Sequence, residues 1–464
     1  MGICGIAGGF SGDGEAAMRA LAHRGPDAQA LSPGGAWLAH TRLAIQDLDS
    51  RSNQPFVYGG TTIVYNGEMW NRDAVRAWLI KRGDVLTTSG DTEVMAALLN
   101  REGFRGLQHV QGMFAVAWRQ AGDNGVWIAR DRFGEVPLHM TDPSSMDGGF
   151  FASELKGIRA AGGFGPVENL KPGTAAYLRQ AELPDVYTYY EVPVRPVSDD
   201  LEYASARVRE LVIAGSVERT IADVPVCVLL SGGVDSSAIA YAVSRTIPNL
   251  VAYTAVLDPK SRDLRCAREV AERLGIELVE VAVPVPTTED LARVVGVIEM
   301  PYKAQVEIGW ACLVLAQRMH EDGFKVTFSG EGSDELWASY GFAYHALKTQ
   351  DWHTYRRDLF VTQERKNFMR ANKAFMAYGV ECRLPFLHTA LVEYALSLKR
   401  DAVKDGSNDK AVMTRAFADV LPESVISRPK VAFQDGMGLK RAIAETVLDD
   451  PKSFYMTEYR RRFL

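Results

Sequence analysis

Seven consecutive residues, Ser231-Gly232-Gly233-Val234-Asp235-Ser236-Ser237, carry the clearest chemical signal in the chain. They follow the apolar run Val226 to Leu230 and precede an apolar helical pattern. Two glycines let the backbone turn tightly and approach a ligand closely. The serine hydroxyls and the first N–H groups of the following helix then make an anion hole, the arrangement that phosphate requires. Asp235 is placed to hold a magnesium ion against phosphate oxygens. A second cluster, Ser329-Gly330-Glu331-Gly332-Ser333-Asp334-Glu335, again follows an apolar run, Val326 to Phe328. Asp334 could share the metal with Asp235. Glu331 could act as general base for an incoming amine. On its own the second cluster reads as a solvated acidic loop; beside the first it reads as its partner. No GxxxxGK[ST] and no GxGxxG with a downstream acid occurs, which argues against γ-phosphate transfer of the Walker type and against a nicotinamide site.

These turns need a scaffold that brings them together. From Leu201 onward, helix and strand patterns alternate: a helix over Leu201 to Ala222, a strand over Val224 to Leu230, and a helix over Ser236 to Ser244. A strand (Leu250 to Leu257), a helix (Asp263 to Leu274) and a strand (Glu277 to Val281) follow. That alternation predicts a doubly wound parallel sheet, in which turns after strands share the carboxyl edge and open onto one crevice. The tail from Trp337 reads as mainly helical. Ahead of Tyr190 the pattern is different. Short apolar runs at Ala36 to Ala39, Thr62 to Tyr65, Phe114 to Trp118, Val126 to Ala129, Gly149 to Ala152 and Ala175 to Leu178 read as strands. Arg72 to Lys81 and Asp91 to Asn100 read as helices. This predicts an α+β sandwich. Pro184 to Asp200, with three prolines, reads as a linker or an extended crossing strand.

The bulk properties narrow the functional classes. At 464 residues the chain is long enough for two or three domains. Hydrophobic residues at 47% and charged residues at 24% are the balance of a soluble globular protein. A net charge of -6 argues against nucleic acid as a partner. The five cysteines form no CxxC pair, and the eight histidines form no HExxH. This argues against a disulfide framework or a zinc site and for a reducing compartment. No run of eighteen apolar residues occurs, so a cytoplasmic protein without membrane contact is expected.

The pair of glycine-rich turns resembles the PP-loop synthetase domain of glutamine-hydrolysing asparagine synthetases. Arg370-Ala371-Asn372-Lys373, the run Tyr378 to Leu387, Leu421-Pro422-Glu423 and Arg428-Pro429-Lys430 are similar to later segments of that family. The resemblance implies that ATP lies on Leu230, Ser231, Gly232, Gly233, Asp235, Ser236, Ser329 and Gly330. It also implies magnesium on Asp235 and Asp334, and Lys430 as the cation that offsets charge at an acyl-adenylate. The first half resembles the family's class II glutamine amidotransferase domain, an N-terminal-nucleophile fold. His23-Arg24-Gly25-Pro26-Asp27, His40-Thr41-Arg42-Leu43, Tyr65-Asn66-Gly67-Glu68, Ser89-Gly90-Asp91-Thr92-Glu93, Ala129 to Gly134 and Ser153-Glu154-Leu155-Lys156 carry that likeness. By the same resemblance Cys4 is the nucleophile, Asn66 and Gly67 form the oxyanion hole, Arg42 holds the glutamine carboxylate, and Glu68 and Asp91 hold its ammonium. Residues 1–190 are thus expected to form the amidotransferase-like domain and residues 200–464 the synthetase domain.

The sequence departs from the family at two places. The family's nucleophilic cysteine directly follows the initiator methionine, so that its own α-amine serves as base. Here Gly2 follows Met1, and Cys4-Gly5-Ile6-Ala7-Gly8 matches the family's opening two residues late. A rival alignment makes Cys4 a structural position after a missing nucleophile. Either way, the intact chain is not expected to hydrolyse glutamine unless it is cut between Ile3 and Cys4. After Pro385-Phe386-Leu387 the family usually has aspartate, and this chain has His388. Glu299 to Glu307 also differs from the usual acceptor segment. The expected activity is ATP-dependent amide formation through an acyl-adenylate, with release of AMP and pyrophosphate. Ammonia comes from glutamine or from solution, and aspartate is the default carboxylate. The alternative is a specialised amide ligase or cyclase on another substrate. A homodimer is a further expectation carried by the family.

Overall fold

The computed structural model describes residues 2–145, 148–340, 343–406, 408–428, 439–446 and 450–464. The first half is built on two six-stranded antiparallel sheets. One has Gly5–Gly9 between Phe150–Ala152 and Trp37–Arg42, and the other has Gly112–Gln120 between Val126–Arg130 and Thr61–Met69. Alternation along each strand divides the core. Ile6, Leu38, Val64, Ala115, Ala117 and Ile128 belong to one buried cluster. Their neighbours Ile63, Tyr65, Phe114 and Val116 pack instead with Val94 and Leu98 of the helix Asp91–Glu102. Ala7, Ala39 and Ala152 pack with Ala17 and Ile158, from the helices Gly14–Ala20 and Leu155–Ala161 on the other flank. Period-two patterning thus gives a helix–sheet–sheet–helix sandwich, as expected.

The second half holds a parallel sheet. Cys227–Leu229, Val251–Val256 and Glu277–Ala282 pair in parallel, as do Val326–Phe328 and Glu381–Arg383. A parallel bridge between Val226 and Val326 joins the two groups. Both glycine-rich turns therefore leave adjacent strands at the same sheet edge. The helices Val234–Ser244 and Arg262–Leu274 connect strands, and the region beyond Trp337 is mainly helical.

Three details differ from the sequence reading. The strand expected over Thr62 to Tyr65 runs from Thr61 to Met69. Its second half is Asn66-Gly67-Glu68, polar residues that are nevertheless buried and that no apolar pattern reveals. The helix expected to reach Ala222 ends at Glu218. Glu381–Arg383 is a strand inside a tail read as helical. Its two charged ends neutralise each other, with Arg383 Nε donating to Glu381 Oε1 at 2.6 Å, so burial does not show as hydrophobicity. The proline-rich stretch is an edge strand over Asp185–Thr188 and then extended chain that bridges to Leu398 at Val197.

Candidate active site

Gly232 has φ +72, and a Cβ there would lie 2.4 Å from the carbonyl oxygen of Asp263. Only glycine meets both demands. Arg428 braces this turn by donating to the Gly232 carbonyl at 3.2 Å and pairing with the Asp263 carboxylate. Gly233 caps the helix Val234–Ser244, which leaves first-turn N–H groups at the loop. Ser231 and Ser236 face each other, with hydroxyl oxygens 3.0 Å apart. Leu230 is anchored by its N–H to the Tyr253 carbonyl at 2.9 Å.

The second turn lies directly against the first. A Cβ on Gly330 would stand 3.3 Å from Asp235 Cβ and 3.5 Å from Ser236 N. Ser333 Oγ donates to Asp235 Oδ1 at 2.7 Å. Ser329 is held by its N–H to the Arg383 carbonyl at 3.0 Å, and its hydroxyl accepts the Glu331 N–H at 3.4 Å. Lys410, which sequence reasoning did not single out, unites the two carboxylates. Its ammonium pairs with Asp235 and reaches Asp334 Oδ1 at 2.5 Å. Burial would lower this lysine, but the two aspartates outweigh it and hold it above the ordinary lysine range. A buried cation thus sits where Asp235 and Asp334 meet. Nothing in the sequence around Asp409-Lys410 marks it, because the pairing is made across 175 residues.

Glu331 is paired with Arg370, whose side chain is 2% exposed. Arg370 Nη1 also donates to Gln305 Oε1 at 2.5 Å and to Asn367 Oδ1 at 3.2 Å. Asn367 Nδ2 reaches Glu335 Oε1 at 2.7 Å and the Tyr340 hydroxyl at 2.8 Å. Burial first, then the neighbouring Glu331 and Asp334, push Glu335 up to about 7. The His388 side chain does not cap the helix Thr389–Ser397 that it precedes; its ring Nδ1 lies 2.7 Å from Glu218 Oε1. Gly215 leaves the room, since a Cβ there would lie 2.6 Å from His388 Cβ. Lys430 lies outside the described residues.

In the first half, the structure brings Asn66 to Cys4, while the other expected residues bond elsewhere. Cys4 N donates to Asn66 Oδ1 at 2.7 Å, and Asn66 Nδ2 donates to Ser153 Oγ at 3.2 Å. Gly67, with φ +150, pairs with Phe114, and a Cβ would strike the Met113 carbonyl at 2.1 Å. Asp91 accepts the Met69 N–H at 3.0 Å and the Tyr65 hydroxyl at 3.3 Å. Arg42 is turned toward its own loop, donating to the carbonyls of Asp47 and Asp49 and to Asn53 Oδ1. Glu68 accepts from Gln46 and lies 3.4 Å from Arg383 of the second half. Burial raises its carboxyl well above the usual range. Burial likewise pushes the Cys4 thiol up to about 12.

A glycine-turned phosphate cradle on a parallel sheet, joined to an N-terminal-nucleophile sandwich, defines an amidotransferase-linked synthetase as the class of protein. Comparison with known families agrees. Residues 3–194 match the family described as a glutamine amidotransferase domain, and residues 207–367 and 356–458 match asparagine synthase. Asparagine synthetase [glutamine-hydrolyzing] of Brassica oleracea is 30% identical over 464 residues, spanning 93% of this chain and 77% of its own. Asparagine synthetase B [glutamine-hydrolyzing] of Escherichia coli (strain K12) is 30% identical over 460 residues, spanning 93% and 81%. The chain belongs to the asparagine synthase family, and it is a ligase with a nucleotide-binding PP-loop domain. No helix among the described residues is long and apolar enough to cross a membrane.

Proposed function

We propose that the protein is an ATP-dependent amide synthetase that activates a carboxylate as its acyl-adenylate, releases pyrophosphate, and passes ammonia to the carbonyl. One observation carries this reading. Asp235 and Asp334 come from two strand-to-helix corners at one sheet edge, and they meet at a single cationic point. Two carboxylates converging on one cation are a donor set suited to a hard oxygen-loving metal. Asp235 and Asp334 would hold magnesium, which neutralises phosphate charge when bound.

The residues of the chain do the rest. Ser231, Gly232, Gly233 and Ser236, with Ser329 and Gly330, cradle the phosphates and leave the α-phosphorus open to the substrate carboxylate. That carboxylate attacks the α-phosphorus; the α–β bond breaks, and pyrophosphate departs. Ammonia then adds to the acyl carbon. Glu331, oriented by Arg370, takes a proton from the nitrogen, and AMP leaves. Lys430 would offset the charge on the adenylate, as the family likeness implies. The default substrate is aspartate and the default product asparagine.

A specific observation favours free ammonia over glutamine as the nitrogen source. The nitrogen of Cys4 is an amide bonded to Asn66, and its thiol is buried, so neither the base nor the nucleophile is ready. The test supplies ATP and aspartate with ammonium or with glutamine, and measures AMP and asparagine. AMP formed with ammonium alone supports this form of the reading. AMP formed with another acid, while aspartate gives none, supports a specialised ligase. ADP as the product in all cases defeats both.

A further inference from the structure

The ammonium of Lys410 stands on the two carboxylates that would take a metal. It pairs with Asp235 Oδ2, reaches Asp334 Oδ1 at 2.5 Å and donates to Ser333 Oγ at 3.3 Å. The lysine side chain is 6% exposed. Two serines complete the arrangement: Ser333 Oγ donates to Asp235 Oδ1 at 2.7 Å, and Ser339 Oγ donates to Asp334 Oδ1 at 2.7 Å. Two carboxylates that share one partner repel each other, and the ammonium between them offsets that repulsion. The backbone of Lys410 is fixed. Its N–H donates to Asn408 Oδ1 at 3.0 Å, just before the helix Ala411–Ala416. Lys404 ties the same loop to the Asp334 corner, donating to the Ala338 carbonyl at 3.0 Å and to Asp409 Oδ1 at 2.7 Å. The lysine stem beyond that anchor is aliphatic and flexible, so the ammonium can swing while the loop stays in place.

We infer that Lys410 is the resident counter-ion of this site: it holds Asp235 and Asp334 together before the nucleotide arrives and keeps a free divalent cation off them. The inference rests on the proposed reading of these aspartates as magnesium ligands. Magnesium takes oxygen ligands at about 2.1 Å. On these oxygens it would meet the ammonium, and two cations in contact repel strongly where water is scarce. Metal alone therefore gains little, because the carboxylates already have their cation. A nucleotide changes the balance. Its phosphates bring negative charge to the 231–236 turn, beside Asp235, and offer the ammonium a new partner. The ammonium then leaves the aspartates to the metal. Metal and nucleotide are thus taken up together, and the ammonium returns to the aspartates when pyrophosphate departs.

The experiment follows Mn2+, a paramagnetic stand-in for magnesium, by electron paramagnetic resonance. The samples are the full chain and its variants Lys410→Met, Lys410→Gln, Lys410→Arg and Asp235→Asn. Each is titrated with Mn2+ alone and with Mn2+ plus α,β-methylene-ATP, which cannot be cut between its α- and β-phosphates. Thermal melting with and without Mg2+ reports folding and the same exchange. Mn2+ alone is expected to bind Lys410→Met and Lys410→Gln at least about 10-fold more tightly than the parent, the scale of coupling between two ligands. Lys410→Arg, which keeps the charge, is expected to match the parent. Mg2+ alone is expected to raise the melting temperature of the neutral variants and not that of the parent. Equal Mn2+ affinity in the parent and the neutral variants, lost in Asp235→Asn, overturns the exclusion and keeps the aspartates as metal ligands. If Asp235→Asn changes no titration, with or without the analogue, the metal reading falls and the inference falls with it. If neither neutral variant folds, the parent decides. Tight binding of Mn2+ alone, lost in Asp235→Asn, overturns the inference, and binding only with the analogue supports it.

Discussion

At the scale of single residues, the phosphate-loop site is organised by charge. Asp235 and Asp334 each contact Lys410, so removing either leaves a buried cation short of a partner, and on the proposed function it also takes away a carboxylate that would hold magnesium. Asp235→Asn or Asp334→Asn is expected to lower AMP formation by roughly 100-fold or more, the usual scale for a lost electrostatic contact in a reaction centre. Initial-rate measurements check this. The sequence singles out both aspartates because they follow glycine turns, and the structure brings the two carboxylates to one ammonium. Lys410 and the Arg370–Glu331 pair could not be placed, because spacing along a chain says nothing about contacts closed by a fold. The thiols give a pH prediction. Burial holds Cys4 and Cys227 at about 12 and Cys312 at about 11, against about 8.5 for an unfolded thiol. The native state keeps these protons where the unfolded chain gives them up. Their stabilisation is complete below about pH 8.5 and is lost as pH rises toward the native values. Melting temperature is expected to fall steeply above pH 9, as scanning calorimetry across pH 7 to 11 would show.

At the scale of elements, the turn at Gly232 tolerates no side chain. Gly232→Ala forces a Cβ to within 2.4 Å of the Asp263 carbonyl at a φ of +72. The expected cost is about 1–3 kcal/mol of stability, with loss of ATP-dependent turnover. Denaturant titration and the AMP assay report the two effects separately. Glu135 gives an element-level test as well. It accepts the Leu384 N–H at 3.0 Å, fixing the chain just past the strand Glu381–Arg383. Burial pushes its carboxyl up to about 8. The unfolded carboxyl ionises near 4.5, so stability from this group is complete below that value and falls as pH rises to about 8. Glu135→Gln keeps the acceptor and removes the titration. Its melting temperature is expected to exceed the parent's at pH 8 and to converge with it near pH 5. Strands with alternating apolar residues were legible, and so were the helices around the phosphate turn. Glu381–Arg383 and the end of Thr61–Met69 were not, because buried ion pairs and hydrogen bonds replace hydrophobicity there.

At the scale of the whole molecule, the two halves are tied by buried charge. Glu299 accepts the N–H groups of Leu155 and Lys156 at 2.8 and 2.9 Å, at the start of a helix in the first half. It also pairs with Lys373 at 2.6 Å. Arg24 bonds Glu154 within the first half at 2.6 Å and Asn372 in the second at 2.9 Å. Lys373→Met leaves Glu299 buried without its closest cation and is expected to cost about 3–5 kcal/mol, read as a fall in the urea midpoint. The two-part architecture was visible as a change from strand-rich to alternating pattern near Tyr190; the contacts that join the parts were not. On the proposed function, two corners of one sheet grip a nucleotide so that it is cut between its α- and β-phosphates. Phosphorus NMR of ATP consumed in the presence of ammonium and a series of carboxylic acids tests it most directly. Equal amounts of AMP and pyrophosphate are expected with an accepted acid, and neither from Asp235→Asn. ADP and orthophosphate in their place would contradict it.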